Sequence, residues 1–174
     1  DGGADPELRA GEQVEHGFRH HVRGRVAHRV EFAVRARIEQ ALRRIERRHA
    51  GELRFAVETA FDLPELWYGT TPRQRALQVF GHLGVWDTEG NNGVLIYLLL
   101  ADRDVEIGAD RAIAARVSQD EWDSLCRDME GHFRAGRFAE GAETGIAGVG
   151  ALLAKHFPGR GGDADEQPNQ AVLL

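Results

Sequence analysis

Apolar residues recur at spacings of three and four through Val30, Val34, Ile38, Leu42 and Ile45. That stripe predicts a helix from about Val26 to His49, ended by Gly51. The period then changes to two. Leu53, Phe55 and Val57 alternate inward, so a strand is expected at Glu52–Glu58. Residues 59–70 hold Pro64, Trp67 and Tyr68 and are expected to form a loop. Thr71-Pro72-Arg73-Gln74 opens the next helix: the threonine caps, the proline suits the first turn, and the glutamine closes a capping box. After a loop at 84–93, Val94–Leu100 is unbroken apolar sequence, the mark of a central strand covered on both faces. Asp102-Arg103 turns the chain into Asp104–Ala109, which is expected to pair antiparallel with it because the connection is short.

A second capping box, Ser118-Gln119-Asp120-Glu121, starts a helix to about Ala135, with Gly136 as its terminator. The last helix is expected from Arg137 to Phe157, before Pro158. It holds Gly141, Gly145, Gly148 and Gly150, which points to close packing against a neighbour. Helices alternating with strands, plus one hairpin, predict the α/β class: an α/β/α sandwich around a mixed sheet. Residues 1–15 and 159–174 read as loose tails, with Ala171–Leu174 apolar but isolated, and 16–158 read as one domain with an N-terminal helical arm.

Composition narrows the function. A chain of 174 residues with 42% hydrophobic and 29% charged content fits one domain with a real core. The single cysteine, Cys126, excludes an internal disulfide framework and fits a reducing compartment. Residues 1–54 carry 12 basic against 9 acidic side chains, while the remainder is acidic within a net charge of −6. The basic part reads as a solvated helix, and no clustered aromatic-and-basic surface suggests nucleic-acid binding. No apolar run approaches the roughly 20 residues of a membrane helix, and no signal-peptide pattern opens the chain. A cytoplasmic location, or a peripheral one on the inner membrane face through a protein partner, is therefore expected.

Two motifs carry a resemblance. Asn91-Asn92-Gly93-Val94-Leu95-Ile96, followed by Asp102-Arg103, resembles the Asp-Asn-Gly turn, apolar strand and Asp-Arg hairpin of the TPM-domain family, which includes YgcG-like and thylakoid-lumen proteins. Phe133-Arg134-Ala135-Gly136-Arg137-Phe138 is similar to that family's step between its last two helices. The likeness runs from about His49 to Pro158. It implies an α/β/α sandwich. It also implies one of several activities known among members: acid phosphatase, calcium binding, photosystem repair or membrane-protein assembly. The chain departs from the family pattern at Asn91, where an aspartate is usual, at Gly108, where a glutamate is common, and at Asp110-Arg111, which replaces a glycine-rich turn.

Asp87, Glu89, Asn92 and Asp110 form the candidate metal site. All their donors are oxygens, so a hard cation is expected, calcium before magnesium because calcium tolerates an irregular cage. Asp102 and Asp110 are the catalytic candidates for a phosphatase. Asp102 should stand about 20 Å from Asp87, at the far end of the strand. Turn formation and capping are the competing explanation for these acids. His16, His20 and His21, with Glu15 or His28, form a weaker zinc candidate, for which adventitious binding is the simpler account. Cys126 reads as an inert buried thiol and Ser118 as a cap, since no Gly-x-Ser-x-Gly elbow surrounds it. Trp67, Tyr68 and Trp86 are expected to be buried as a lid on the sheet; exposed, they would anchor a partner instead. With no nucleophile–base pair visible, the expected role is a binding or assembly module with a weak calcium site. The alternative is a metal-dependent, acid-phosphatase-like hydrolase.

Overall fold

The strand expected around Phe55 is β1 (Leu53–Glu58), and every one of its residues is buried. The computed structural model describes residues 34–46, 48–159, 168 and 170–174, and its compact unit is Ala36–Leu174. Helix α1 covers residues 34–46, with Ile38, Ala41 and Leu42 buried. The earlier turns of the expected arm, the tail 1–15, the histidines at 16, 20, 21 and 28, and most of 159–170 lie outside the described residues.

After β1 come α2 (Leu63–Trp67), α3 (Pro72–His82), β2 (Val94–Leu99), β3 (Asp104–Ala109) and α4 (Arg111–Ala114). Then follow α5 (Gln119–Arg134), α6 (Phe138–His156) and β4 (Val172–Leu173). Both capping boxes form as the sequence dictates: Thr71 with Gln74 opens α3, and Ser118 with Glu121 opens α5.

The strands lie in the order β3-β2-β1-β4. β1 and β2 are parallel, in register from Leu53↔Val94 to Glu58↔Leu99. A parallel pair needs a crossover, and α3 lies in it. β2 and β3 form the expected antiparallel hairpin. The unbroken apolar run is thus an interior strand with all six residues buried.

Alternation sorts the side chains into two layers. Ala56, Leu95, Tyr97 and Leu99 meet Ala76, Val79 and Val85 on the face covered by α3. Phe55, Ile96 and Ile107 share one cross-strand row on the opposite face, where α5 and α6 pack. The helix glycines do what their spacing implies: a Cβ on Gly145 would lie 2.2 Å from Met129 Sδ, so α6 approaches α5 more closely than alanine allows. Arg37 of α1 clasps Glu143 of α6 with two hydrogen bonds of 2.9 and 2.8 Å.

Three expectations change. Residues 59–70 contain the short helix α2 rather than only loop, and Asp110–Ala114 adds α4. Ala171–Leu174 is not isolated: Val172 and Leu173 pair with Ala56 and Val57 of β1, parallel to it, and Leu174 N–H donates to the Val57 carbonyl. Two residues carry no periodicity for a sequence pattern to register, and the β1 edge supplies the free backbone groups that order them.

Candidate functional site

The loop before β2 is held by local chemistry. Thr88 is buried, its hydroxyl accepts the Asn92 N–H at 3.2 Å, and its carbonyl accepts the Asn91 N–H. Asn91 has a positive φ of 49°, a conformation asparagine tolerates better than most residues. Gly93 follows with no room for a side chain: a Cβ there would sit 1.9 Å from the Val85 carbonyl oxygen. Asn92 points inward and donates Nδ2 to the Ala50 carbonyl at 3.0 Å.

The hairpin returns Asp110 to this end of the sheet, where its N–H donates to Gly93 O at 2.9 Å. Its carboxylate is buried. Oδ1 caps α4 by accepting the Arg111 N–H at 2.7 Å, while Oδ2 is sealed from solvent with no hydrogen-bond partner. Arg111 reaches across to Asn91 Oδ1 at 3.1 Å, and the Ala112 N–H meets the Asn91 carbonyl. Asn91, Asn92 and Asp110 therefore belong to one locus, where an oxygen-only donor set leaves one carboxylate oxygen unused. Asp87 and Glu89 are exposed on the loop. Among the described residues, no group of three or more Asp, Glu, His or Cys side chains is placed to hold a metal ion.

Asp102 is exposed in the hairpin turn, a full strand length of about 20 Å from Asp110. The two catalytic candidates cannot act on one reacting bond. The turn places other acids nearby that the sequence did not single out. Asp104 and Glu106 on β3 are half-buried, and each is held above the usual carboxylate range. For Asp104 the causes are burial and then the charges of Glu130 and Asp102; for Glu106 burial outweighs the opposing Arg73. Burial pushes the Cys126 thiol up to about 12, with Glu106 and Glu130 adding to the shift, which makes it a poor nucleophile.

A polar cluster inside the α3 face was also missed. Arg75 of α3 holds Glu58 through Nε at 2.9 Å and Nη2 at 2.9 Å, and Tyr97 donates its hydroxyl to the same carboxylate. Tyr97 had looked like part of an apolar run. An acid closing β1 and an arginine in the first turn of α3 were the available signal.

The expected aromatic lid does not exist. Trp67 is 87% exposed, Tyr68 82% and Trp86 55%. With Leu63 at 82% and Leu66 at 62%, α2 and its cap present four large side chains to solvent and bury none. The segment is nonetheless fixed in shape: Thr70 N–H donates to Glu65 O at 2.9 Å, and Glu65 lies 3.8 Å from Arg75. α3 already covers this sheet face with Ala76 and Val79, leaving no core position for the aromatics.

Comparison with known proteins agrees with this architecture. Residues 27–152 match the TPM domain. The NMR structure of the BA42 protein from the psychrophilic bacterium Bizionia argentinensis is similar, with 32% identity and a TM-score of 0.71, covering 82% of this chain and 93% of that one. The N-terminal domain of a protein from P. gingivalis shares the fold at 24% identity and a TM-score of 0.55, covering 68% and 74% of the two chains. No curated protein matches.

Proposed function

The chain belongs to the TPM-domain family, and from that premise we infer that it acts as a binding or assembly module whose contact surface is α2. The observation that carries this reading is the exposure of Leu63, Leu66, Trp67 and Tyr68 on one anchored turn. A buried Leu or aromatic side chain contributes about 1.5–3 kcal/mol relative to an exposed one, so leaving four outside favours a partner that covers them. Trp and Tyr are also the side chains most often dominant at interfaces. The ties through Thr70 and Glu65 hold the turn in shape before binding, which lowers the ordering cost. The partner is a protein with an apolar recess, cytoplasmic or at the inner membrane face. Among the described residues, no helix is long and apolar enough to cross a membrane.

The test is affinity capture with the native chain and with a Trp67→Ala/Tyr68→Ala chain, then direct titration of the captured protein against both. Loss of about tenfold or more in affinity is expected, from roughly 1.4 kcal/mol or more at a hot spot. Equal affinity overturns the reading, as does saturable binding to lipid vesicles with no protein captured.

A second reading rests on the unused Oδ2 of Asp110. A calcium ion there would take Asp110 and the Asn92 carboxamide oxygen, and the exposed loop would have to move to bring Asp87 and Glu89 to it; magnesium, which demands a regular octahedron, suits this donor set less well. The guanidinium of Arg111 at Asn91 opposes a cation, so weak binding is expected. In the phosphatase form of this reading, Asp110 works at the ion and Asp102 has no part. Calorimetry on chelator-stripped protein decides the matter: heat on adding calcium, lost in Asp110→Asn, supports it, and no heat at millimolar calcium removes it.

A further inference from the structure

Three arginines at and just beyond α1 are used differently. Arg37 is fully engaged: it donates to Glu143 of α6 at 2.9 and 2.8 Å and to Glu140 at 3.3 Å. Arg44 and Arg48 are exposed, and among the described residues no carboxylate pairs with either. A solvated arginine is ordinary by itself. These two differ because both line a cavity of about 210 Å³ between α1 and α6.

The two helices run in the same direction beside this cavity. Arg37 meets Glu143, and further along Ile45 meets Gly150, where an added Cβ would lie 3.0 Å from Ile45 Cδ1. The glycine thus lets Ile45 close down on α6 and form an apolar floor with the buried Ile146. Ala147 and Ala151 line the open α6 wall, exposed and no longer than a methyl group. Glu143 stands at one end, its carboxylate already neutralised by Arg37. Arg44 and Arg48 lie on either side of Ile45 in the chain, so they flank the other half. Two like charges four residues apart on a helical turn repel, and an anion between them relieves that repulsion. The volume is below the roughly 300–1,000 Å³ of sites for drug-sized ligands, so the slot takes a slim chain and excludes a partner helix.

We propose that the α1–α6 cavity binds a short unbranched alkyl anion, with its carboxylate or phosphate group between Arg44 and Arg48 and its chain along Ala147, Gly150 and Ala151. Both head groups match the forked donors of a guanidinium. The methylene stems of the two arginines cover the first carbons of the chain. The cavity shares no residue with the α2 surface or the Asp110 locus, and the proposal rests on neither.

The experiment uses the full chain, with the methyl resonances of Ala147 and Ala151 as direct readout. Sodium octanoate and sodium octyl phosphate are titrated separately below their micelle concentrations. Octan-1-ol, which has the chain without the charge, and sodium acetate, which has the charge without the chain, are the controls. Saturable shifts are expected with an octyl anion, and much weaker ones with either control. Octanoate alone responding assigns a carboxylate head group, and octyl phosphate alone a phosphate. The double variant Arg44→Gln/Arg48→Gln is expected to weaken anion binding about fivefold or more, a modest loss because both arginines are exposed. Ala151→Leu, which fills the slot from an exposed position, is expected to abolish the shift at Ala147. Urea unfolding checks that each variant is folded. No saturable shift with either octyl anion overturns the proposal. So does octan-1-ol binding as tightly as the anions, or binding that either variant leaves unchanged.

Discussion

Tyr97 donates its hydroxyl to Glu58 at 2.5 Å, beside the apolar Ala56, Leu95 and Leu99 of the same sheet face. Burial, and then this bond, raise the phenol well above its ordinary pKa. Burial pushes Glu58 the other way from its net shift: the bonds from Arg75 and Tyr97 and the Arg75 charge outweigh it and hold the carboxyl below its usual range. Tyr97→Phe is expected to cost about 2 kcal/mol, the worth of a hydrogen bond to a charged group. Arg75→Met is expected to cost about 3 kcal/mol or more, because it strands a buried carboxylate. Urea unfolding measures both. The Glu58 contribution is full above its unfolded pKa of about 4.3 and is lost as pH falls through the folded value, so Arg75→Met flattens stability against pH on the acid side.

His49 makes a second pH-dependent contribution. Its Nδ1–H donates to the Gly51 carbonyl at 2.7 Å, which fixes the neutral ring's proton on that nitrogen; Nε2 is buried with no partner. Burial depresses the pKa, the Gly51 bond opposing it. With a depressed folded pKa, the stability is full above about 6.5 and is lost as pH falls below it, since the unfolded chain takes the proton first. Tm is expected to fall between pH 7 and 5, and His49→Phe to reduce that slope.

Two glycine substitutions should differ in a definite order. At Gly93 a methyl group meets the Val85 backbone carbonyl, which cannot move without the loop; at Gly145 it meets the end of the flexible Met129 side chain. Overpacking typically costs about 1–3 kcal/mol. Gly145→Ala is expected at the low end and Gly93→Ala at or above the high end, read by chemical denaturation.

The Cys126 thiol, pushed up to about 12 by burial and then by Glu106 and Glu130, is expected to resist alkylation at pH 8. The thiolate fraction there is about one in ten thousand. Labelling by iodoacetamide should be slow in the native protein and fast in denaturant; fast native labelling would contradict the burial.

Sequence alone determined the elements whose cause is local. The unbroken run from Val94, the alternation at Leu53, Phe55 and Val57, and the two capping boxes each specify a backbone state through neighbours in the chain. The helix glycines likewise announced close packing, though not that Met129 and Phe133 are what they admit. Tertiary structure decided everything that depends on distant partners. The exposure of Trp67 and Tyr68 follows from α3 already covering their sheet face, which no local pattern records. Val172 and Leu173 become a strand only because β1 offers them an edge. The hairpin register brought Asp110 to Asn92 and put Asp102 out of reach, confirming the separation that strand rise had implied. Arg54 shows the limit most plainly. Its place on β1 is legible from alternation, but that its Nε is sealed without an acceptor is a property of the whole fold, because the atoms that could accept from it come from other elements.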